Sequence, residues 1–259
     1  MYPETLFKDT TDAYFYERDF FVAEQLAHAY LHRDYRIGMH SHEFYEINII
    51  MSGSGRHYIG AASLDTRKGD VFVIPPETEH GYFPHPSLDI FHILIRSDFF
   101  SRYAGELHKT GGFSLLFNIE PHLRIQSGKA FHLQLDARGL EALADDLKAL
   151  KTAELREEYT CANILTLALI CKFSLSLQEK LYRDGESSSP DSEILRLMDH
   201  IKNNHAKKIT LREVAALGNI STATLNRRFR EAIDMTPMEY LIKCRTAAAR
   251  ELLRQNTYS

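Results

Sequence analysis

The sequence predicts an α+β protein of two domains, an N-terminal antiparallel β-barrel with helices after it and an all-helical C-terminal domain. Three observations predict this. Between about residues 23 and 96, short β-branched and aromatic runs follow one another with only glycine and proline between them. From Leu140 onward, apolar residues recur at helical spacing instead. From Asp191 onward the charge reverses: twelve Lys and Arg face eight Asp and Glu, leaving nineteen against twenty-seven in residues 1–190.

Taken in order, the strands are Glu46–Met51, Arg56–Ile59, Asp70–Ile74 and Leu88–Ile95, punctuated by Gly53, Gly55, Gly60, Gly69 and Pro75-Pro76. Strands so closely spaced, without helices between them, imply an antiparallel barrel or jelly roll over residues 1–135. Within it, His40, His42 and Glu46 stand at even offsets, so an extended strand turns all three to one face. His80 follows the next glycine- and proline-marked turn. Three imidazoles and a carboxylate suit a divalent transition metal, Zn, Ni, Fe or Mn. Arg36, Tyr45, Asn48, Tyr58, Tyr82 and His92 are further residues that can line a small-molecule site in the barrel. The chain has no Trp, the commonest stacking platform for a sugar. Phe and Tyr can also stack, so a carbohydrate stays among the effectors to consider.

Residues 136–183 read as a helical pair. Leu140, Leu143, Leu147 and Leu150 form one apolar stripe, and a second helix spans about Ala153 to Leu181 with Leu165, Ala168 and Leu169 on its apolar side. The apolar run Ile164–Leu177 is interrupted by Lys172 and is too short to span a bilayer. Asp184–Ser189 has linker composition, giving a linker over 184–190. Ile194, Leu197, Met198 and Ile201 then open the C-terminal domain, 191–259.

That domain carries a helix-turn-helix. Thr210-Leu211-Arg212-Glu213 is a capping box, Gly218-Asn219 offers a left-handed turn, and Ser221 is an N-cap for the next helix. Leu225 and Phe229 mark that helix's buried side, while Ala223, Asn226, Arg227 and Arg230 share a stripe turned away from it. Asn pairs bidentately with adenine and Arg with guanine in the major groove. Thr222, Arg228, Arg230 and Lys243 are phosphate-contact candidates. Thr236-Pro237-Met238-Glu239 caps a long basic helix through Arg245, Arg250 and Arg254. Three punctuated helices on a basic segment point to DNA. Three cysteines, Cys161, Cys171 and Cys244, lack metal or disulfide spacing, and Met1–Glu4 opens no signal region, so a cytoplasmic protein is expected.

The segment Ile209–Leu253 resembles the first DNA-binding half of the AraC/XylS regulators. The matching positions are Ala215, Ser221, Leu225, Arg227, Phe229, Thr236, Pro237, Tyr240, Leu241, Arg245, Ala249, Leu252 and Leu253. The resemblance implies base reading from Ala223, Asn226 and Arg227, a helical pair serving as a homodimer seam, and a small-molecule effector. The family's turn glycines are Asn219 and Asp234 here. Its second helix-turn-helix is missing, and shortening of the chain is the favoured expectation. The set His40, His42, Glu46, Gly53, Gly69, Pro75 and His80 resembles the two cupin motifs, with Glu77 in place of a glycine and Pro84 in place of an asparagine. Together these readings predict a ligand-responsive regulator rather than an enzyme. The rival is a cupin metalloenzyme with a helical appendage. A third possibility is a non-DNA-binding partner that silences full-length regulators by forming mixed dimers.

Overall fold

The computed structural model describes residues 13–35, 37–60, 62–107, 109–127, 131–183 and 190–256. These form two compact units, Met1–Leu177 and Gln178–Ser259.

The first unit is built on one sheet of eight strands among the described residues. They are β1 (Ala13–Phe15), β2 (Ala27–His32), β3 (His40–His42), β4 (Tyr45–Ile59), β5 (Ala62–Arg67), β6 (Asp70–Ile74), β7 (His80–Ile95) and β8 (Leu133–Gln134). β4 and β7 are the long members and pair antiparallel along most of their length. β6 and β5 flank successive halves of β4, while β2 and β3 flank successive halves of β7. Among the described residues, only β1 and β3 run parallel. The long strands bend: pairing slips between Ile50 and Ser52 and again between Gly53 and Gly55. Gly53 has φ +79, and a Cβ there would stand 2.0 Å from the Ser87 carbonyl oxygen. Only glycine permits that approach, so the bulge is encoded locally. The bend curls the sheet around a core of Ile50, Ile59, Phe72, Ile74, Leu88 and Ile90. This is the jelly-roll sheet that the strand spacing predicts and the cupin type that the motif resemblance implies.

Helices complete the unit. α1 (Glu17–Phe20) precedes β2, and α2 (Ser97–Arg102) and α3 (Ala104–Leu107) follow β7. A π-helical turn, Leu115–Ile119, leads into α4 (Glu120–Ser127). Arg124 on α4 is fully buried, paired to Glu120 at 3.0 Å and donating to the Val73 carbonyl at 2.6 Å. α5 (Ala137–Leu155) starts at Asp136, whose side chain accepts from the Gly139 amide. It buries Leu140, Leu143, Leu147 and Leu150, the predicted stripe. Glu154 at its end accepts from the Ala29 amide and from Gln25, tying α5 to β2.

α6 spans Tyr159–Arg183, and its residues from Gln178 belong to the second unit. It does not begin at Ala153 as expected: Glu157, at φ +59, breaks the chain between α5 and α6. The buried stripe also differs from the expected one. It runs through Ala162, Thr166, Ile170, Phe173, Leu177 and Leu181, with Leu169 beside it, while Leu165 is half-buried and Ala168 exposed. The whole helix exceeds the apolar run Ile164–Leu177 and reaches spanning length and hydropathy over Tyr159–Tyr182. Buried Asn163, Thr166 and Ser174 mark it as a helix packed inside protein. The predicted linker Asp184–Ser189 lies outside the described residues.

The second unit also contains α7 (Pro190–Asn203), α8 (Leu211–Leu217), α9 (Thr222–Ile233) and α10 (Pro237–Asn256). Its core joins Ile194, Leu197, Met198, Ile201, Val214, Ala215, Leu225, Phe229, Ile233 and Leu241. Both Thr210–Glu213 and Thr236–Glu239 make reciprocal capping hydrogen bonds, and Ser221 caps α9. Asn219 (φ +49) and Asp234 (φ +53) take the left-handed turns. Gly218 itself is not left-handed; a Cβ there would lie 2.6 Å from the carboxylate end of Glu193, which would have to swing aside.

Asp199 on α7 is buried, and neither carboxylate oxygen meets a donor at full hydrogen-bond geometry. Burial raises its pKa, and the looser approach of Asn203 and Gln178 offsets only part of that. A carboxyl with a folded-state pKa above its unfolded value binds more protons folded than unfolded. Its stabilising contribution is therefore present below the unfolded pKa and is lost as pH rises through the folded one. Asp199→Asn should raise the melting temperature of the second unit at neutral pH and flatten its decline above the ordinary carboxylate range. Calorimetry across a pH series tests this, and a less stable Asn variant at pH 7 would contradict it.

Candidate functional site

The interior face of the curled sheet gathers the polar residues. His40 and His42 project from β3, Glu46 and Asn48 from β4, His80 and Tyr82 from one half of β7 and His92 from the other; all are buried. His40 faces His80 directly in register, and His92 faces Asn48. Glu46 is the hub. Its carboxylate lies 2.6 Å from His92 Nδ1, 2.9 Å from His80 Nε2 and 3.4 Å from His42 Nε2, and accepts from Asn48 at 3.3 Å. One ligand atom each from His40, Glu46 and His80 falls within 4.8 Å of the others.

The tautomers follow from the backbone. Nδ1 of His40, His42 and His80 lies 3.0, 2.7 and 3.2 Å from the carbonyl oxygens of Gly38, Phe44 and Thr78. A carbonyl only accepts, so each Nδ1 carries a proton, and it is Nε2 of each ring that faces the interior. Backbone carbonyls fix metal-binding histidines in the same way. Burial, then His80, pushes His40 down to about 3, and burial lowers His80 against the pull of Glu46. Burial acts to raise the Glu46 pKa, but the surrounding histidines outweigh it and hold the carboxyl well below its usual range. His80 Nε2 meets this ionised carboxylate at 2.9 Å, too close for a bare lone pair. Such a pair repels unless a proton or a metal cation sits with it. The donor set therefore fits a divalent cation.

Around this hub several buried polar atoms lack partners: His42 Nε2, His92 Nε2, Asn48 Oδ1, Tyr35 Oη and both ring nitrogens of His57. His57 stacks on Tyr82 at 4.1 Å, and His92 is stacked between Tyr30 and Tyr35 at 4.8 and 5.7 Å. Burial and the nearby Arg124 charge hold His57 well below its usual pKa.

Of the residues predicted to line the site, Asn48, Tyr82 and His92 do so. Tyr45 and Tyr58 do not. Each neighbours an inward residue on a strand and so turns outward, Tyr45 onto Phe100 and Tyr58 onto Phe83. Arg36 lies outside the described residues. Sequence reasoning missed Tyr30, Tyr35 and His57. His57 stands at an odd offset from Asn48, and the slip between Ile50 and Ser52, two steps on β4 against one on β7, returns it to the interior; no glycine or proline marks that slip in Ile50-Met51-Ser52. Glu77, where the cupin pattern has glycine, holds φ +61 and donates its amide to the His42 carbonyl at 2.8 Å.

The second site is the outer face of α9. Ala223, Arg227 and Arg230 are exposed, and Thr222 and Asn226 half-exposed. Arg227 donates to Glu231 at 2.8 Å. Arg228 instead turns back to pair with Glu193 on α7, which removes it from the phosphate-contact set. Arg245 donates to the carbonyls of His205 and Lys207, so it braces the connection between α7 and α8. Lys243 is exposed on α10.

A family model described as the AraC-like ligand binding domain matches residues 22–168, the curled sheet and the helices after it. The chain belongs to the AraC family. Similar curated AraC-family relatives are HTH-type transcriptional activators named RhaS. The one from Klebsiella pneumoniae (strain 342) is 26% identical over 225 residues, covering 85% of this chain and 75% of the relative. The one from Mannheimia succiniciproducens is 25% identical over 210 residues, covering 81% and 72%. Among solved structures, a cupin protein from Bacteroides fragilis aligns over 28% of this chain and 68% of its own, at 21% identity and TM-score 0.26.

Proposed function

We propose that this AraC-family chain is a ligand-responsive, sequence-specific DNA-binding transcription regulator rather than an enzyme. It senses a small molecule in the curled sheet, acts as a cytoplasmic homodimer and binds the DNA major groove. The observation that carries the DNA reading is the outer face of α9. A helix capped at both ends and anchored by Leu225, Phe229 and Ile233 exposes Ala223, Asn226, Arg227 and Arg230 on its other side. Asn226 and Arg227 read bases, and Thr222, Arg230 and Lys243 hold phosphates. The unpartnered polar atoms around Glu46 support effector binding, since buried polar groups are normally satisfied. Their mixture of donors and acceptors suits a hydroxylated effector, and a carbohydrate is one chemistry that fits. His40, Glu46 and His80, with His42 beside them, hold a divalent transition metal; bound there, it supplies a Lewis-acid contact for an effector oxygen. Exposed Ile164, Ala168 and Leu175 on α6 support a seam between two copies.

Selection of random duplex DNA by the 259-residue chain tests the reading. An enriched motif is expected. In the Arg227→Ala variant one base preference should be lost, with affinity for the motif down about 5- to 150-fold, corresponding to about 1–3 kcal/mol for a bidentate base contact. Failure of the wild-type chain to enrich any sequence would overturn it.

A further inference from the structure

The recognition face carries one negative charge that base reading by Arg227 does not itself require. Glu231 follows Arg227 by four residues, on the same side of α9, and accepts a hydrogen bond from Arg227 Nη1 at 2.8 Å. Both side chains are more than half exposed, at 61% and 56%. Helix stability gives this pair little reason to exist. An exposed ion pair contributes little, and an Arg-before-Glu order is the weaker one for a helix at this spacing. A carboxylate facing phosphates also works against DNA affinity.

We infer that Glu231 is a specificity-determining positioning residue: it holds the Arg227 guanidinium in the orientation that reads guanine. The inference rests on the DNA-binding reading above. With Nη1 engaged by Glu231, Nε and Nη2 remain as two parallel donors, the fork that matches the O6 and N7 acceptors of guanine. An exposed arginine otherwise samples many rotamers and must lose that freedom on binding. Glu231 restrains it in the free protein, so the cost of ordering is reduced for guanine, where the held fork is matched. The carboxylate simultaneously lowers affinity for sequences that offer no such match, because there its repulsion from phosphate is not offset.

The test compares wild type, Glu231→Ala, Glu231→Gln, Arg227→Ala and the double variant Arg227→Ala/Glu231→Ala in the same selection, with affinities for the enriched motif and for scrambled DNA. Glu231→Ala should relax the guanine preference at the position that Arg227→Ala abolishes, by about five- to tenfold, at the low end of the range of one bidentate contact. Its affinity for scrambled DNA should rise. Glu231→Gln keeps an acceptor at the same reach and should retain more of the preference than alanine. The double variant should match Arg227→Ala in specificity. Three outcomes would overturn the inference while leaving the regulator reading intact. One is a uniform gain in affinity with the preference unchanged. Another is a Glu231 effect at a base pair that Arg227→Ala does not touch, and the third is additive losses in the double variant. Absence of any wild-type motif would instead overturn the regulator reading, and this inference with it.

Discussion

Replacing Glu46 by alanine is expected to destabilise the first unit by about 3–5 kcal/mol, the usual cost of removing one partner from a buried charged network. For a unit of this length that is roughly a 6–20 °C fall in its melting temperature. The loss is large because one carboxylate serves several groups. His92 Nδ1–H at 2.6 Å would be left with no acceptor inside the curled sheet, and the Asn48 amide, now 3.3 Å from the carboxylate, would keep only Tyr82 Oη at 3.2 Å. Glu46→Gln should cost much less. The glutamine oxygen can accept from His92, and its NH2 can donate to the Nε2 lone pair of His80, the contact that is unfavourable with glutamate. Thermal unfolding of the two variants in chelator separates the cases. If glutamine proves as damaging as alanine, His80 is a charged imidazolium in the native protein and the tautomer argument fails.

The parts of this centre that were legible in the sequence are those governed by strand periodicity and local turn chemistry. His40, His42 and Glu46 share a face because their offsets are even, and His80 meets them because Gly69 and Pro75 mark the turns that return the chain. The three helix starts of the second unit were equally plain, since Thr210, Ser221 and Thr236 act within four residues of themselves. What periodicity could not supply was the effect of a bulge. A strict alternation from Glu46 sends Tyr58 inward and His57 outward, and the slip between Ile50 and Ser52 reverses both. The boundary of α6 was misplaced for a different reason. Composition is continuously helix-favouring from Ala137 to Leu181, and only a single left-handed residue, Glu157, divides it. Arg228 read as a phosphate-contact candidate because its charge was visible and its distant partner, Glu193, was not; the carbonyls of His205 and Lys207 that Arg245 meets were equally hidden.

Divalent metal is expected to raise the melting temperature of the chelator-treated first unit. A ligand that binds only the folded state stabilises it by about 2.7 kcal/mol at a hundredfold excess over its Kd. For this unit that corresponds to roughly 5–11 °C. The physical reason is the contact between His80 Nε2 and Glu46 Oε2, which sets a lone pair against a charge until a cation joins them. His40→Ala and Glu46→Gln should abolish the rise. His57→Ala should keep it, because His57 belongs to the Tyr82 stack and not to the triad. The pH dependence has a definite sign. Metal and protons compete for the imidazole nitrogens, so affinity falls as pH falls. In the folded protein that competition starts late, since His40 sits at about 3 and His80 below the ordinary histidine range. The rise should therefore persist at pH 6, where a site of exposed histidines would already be half protonated. If Zn, Ni, Mn and Fe all leave the transition unmoved, or shift Glu46→Gln equally, the triad is a hydrogen-bonding wall of the effector site. The polar atoms left unpartnered around Glu46 would then be met by the effector alone.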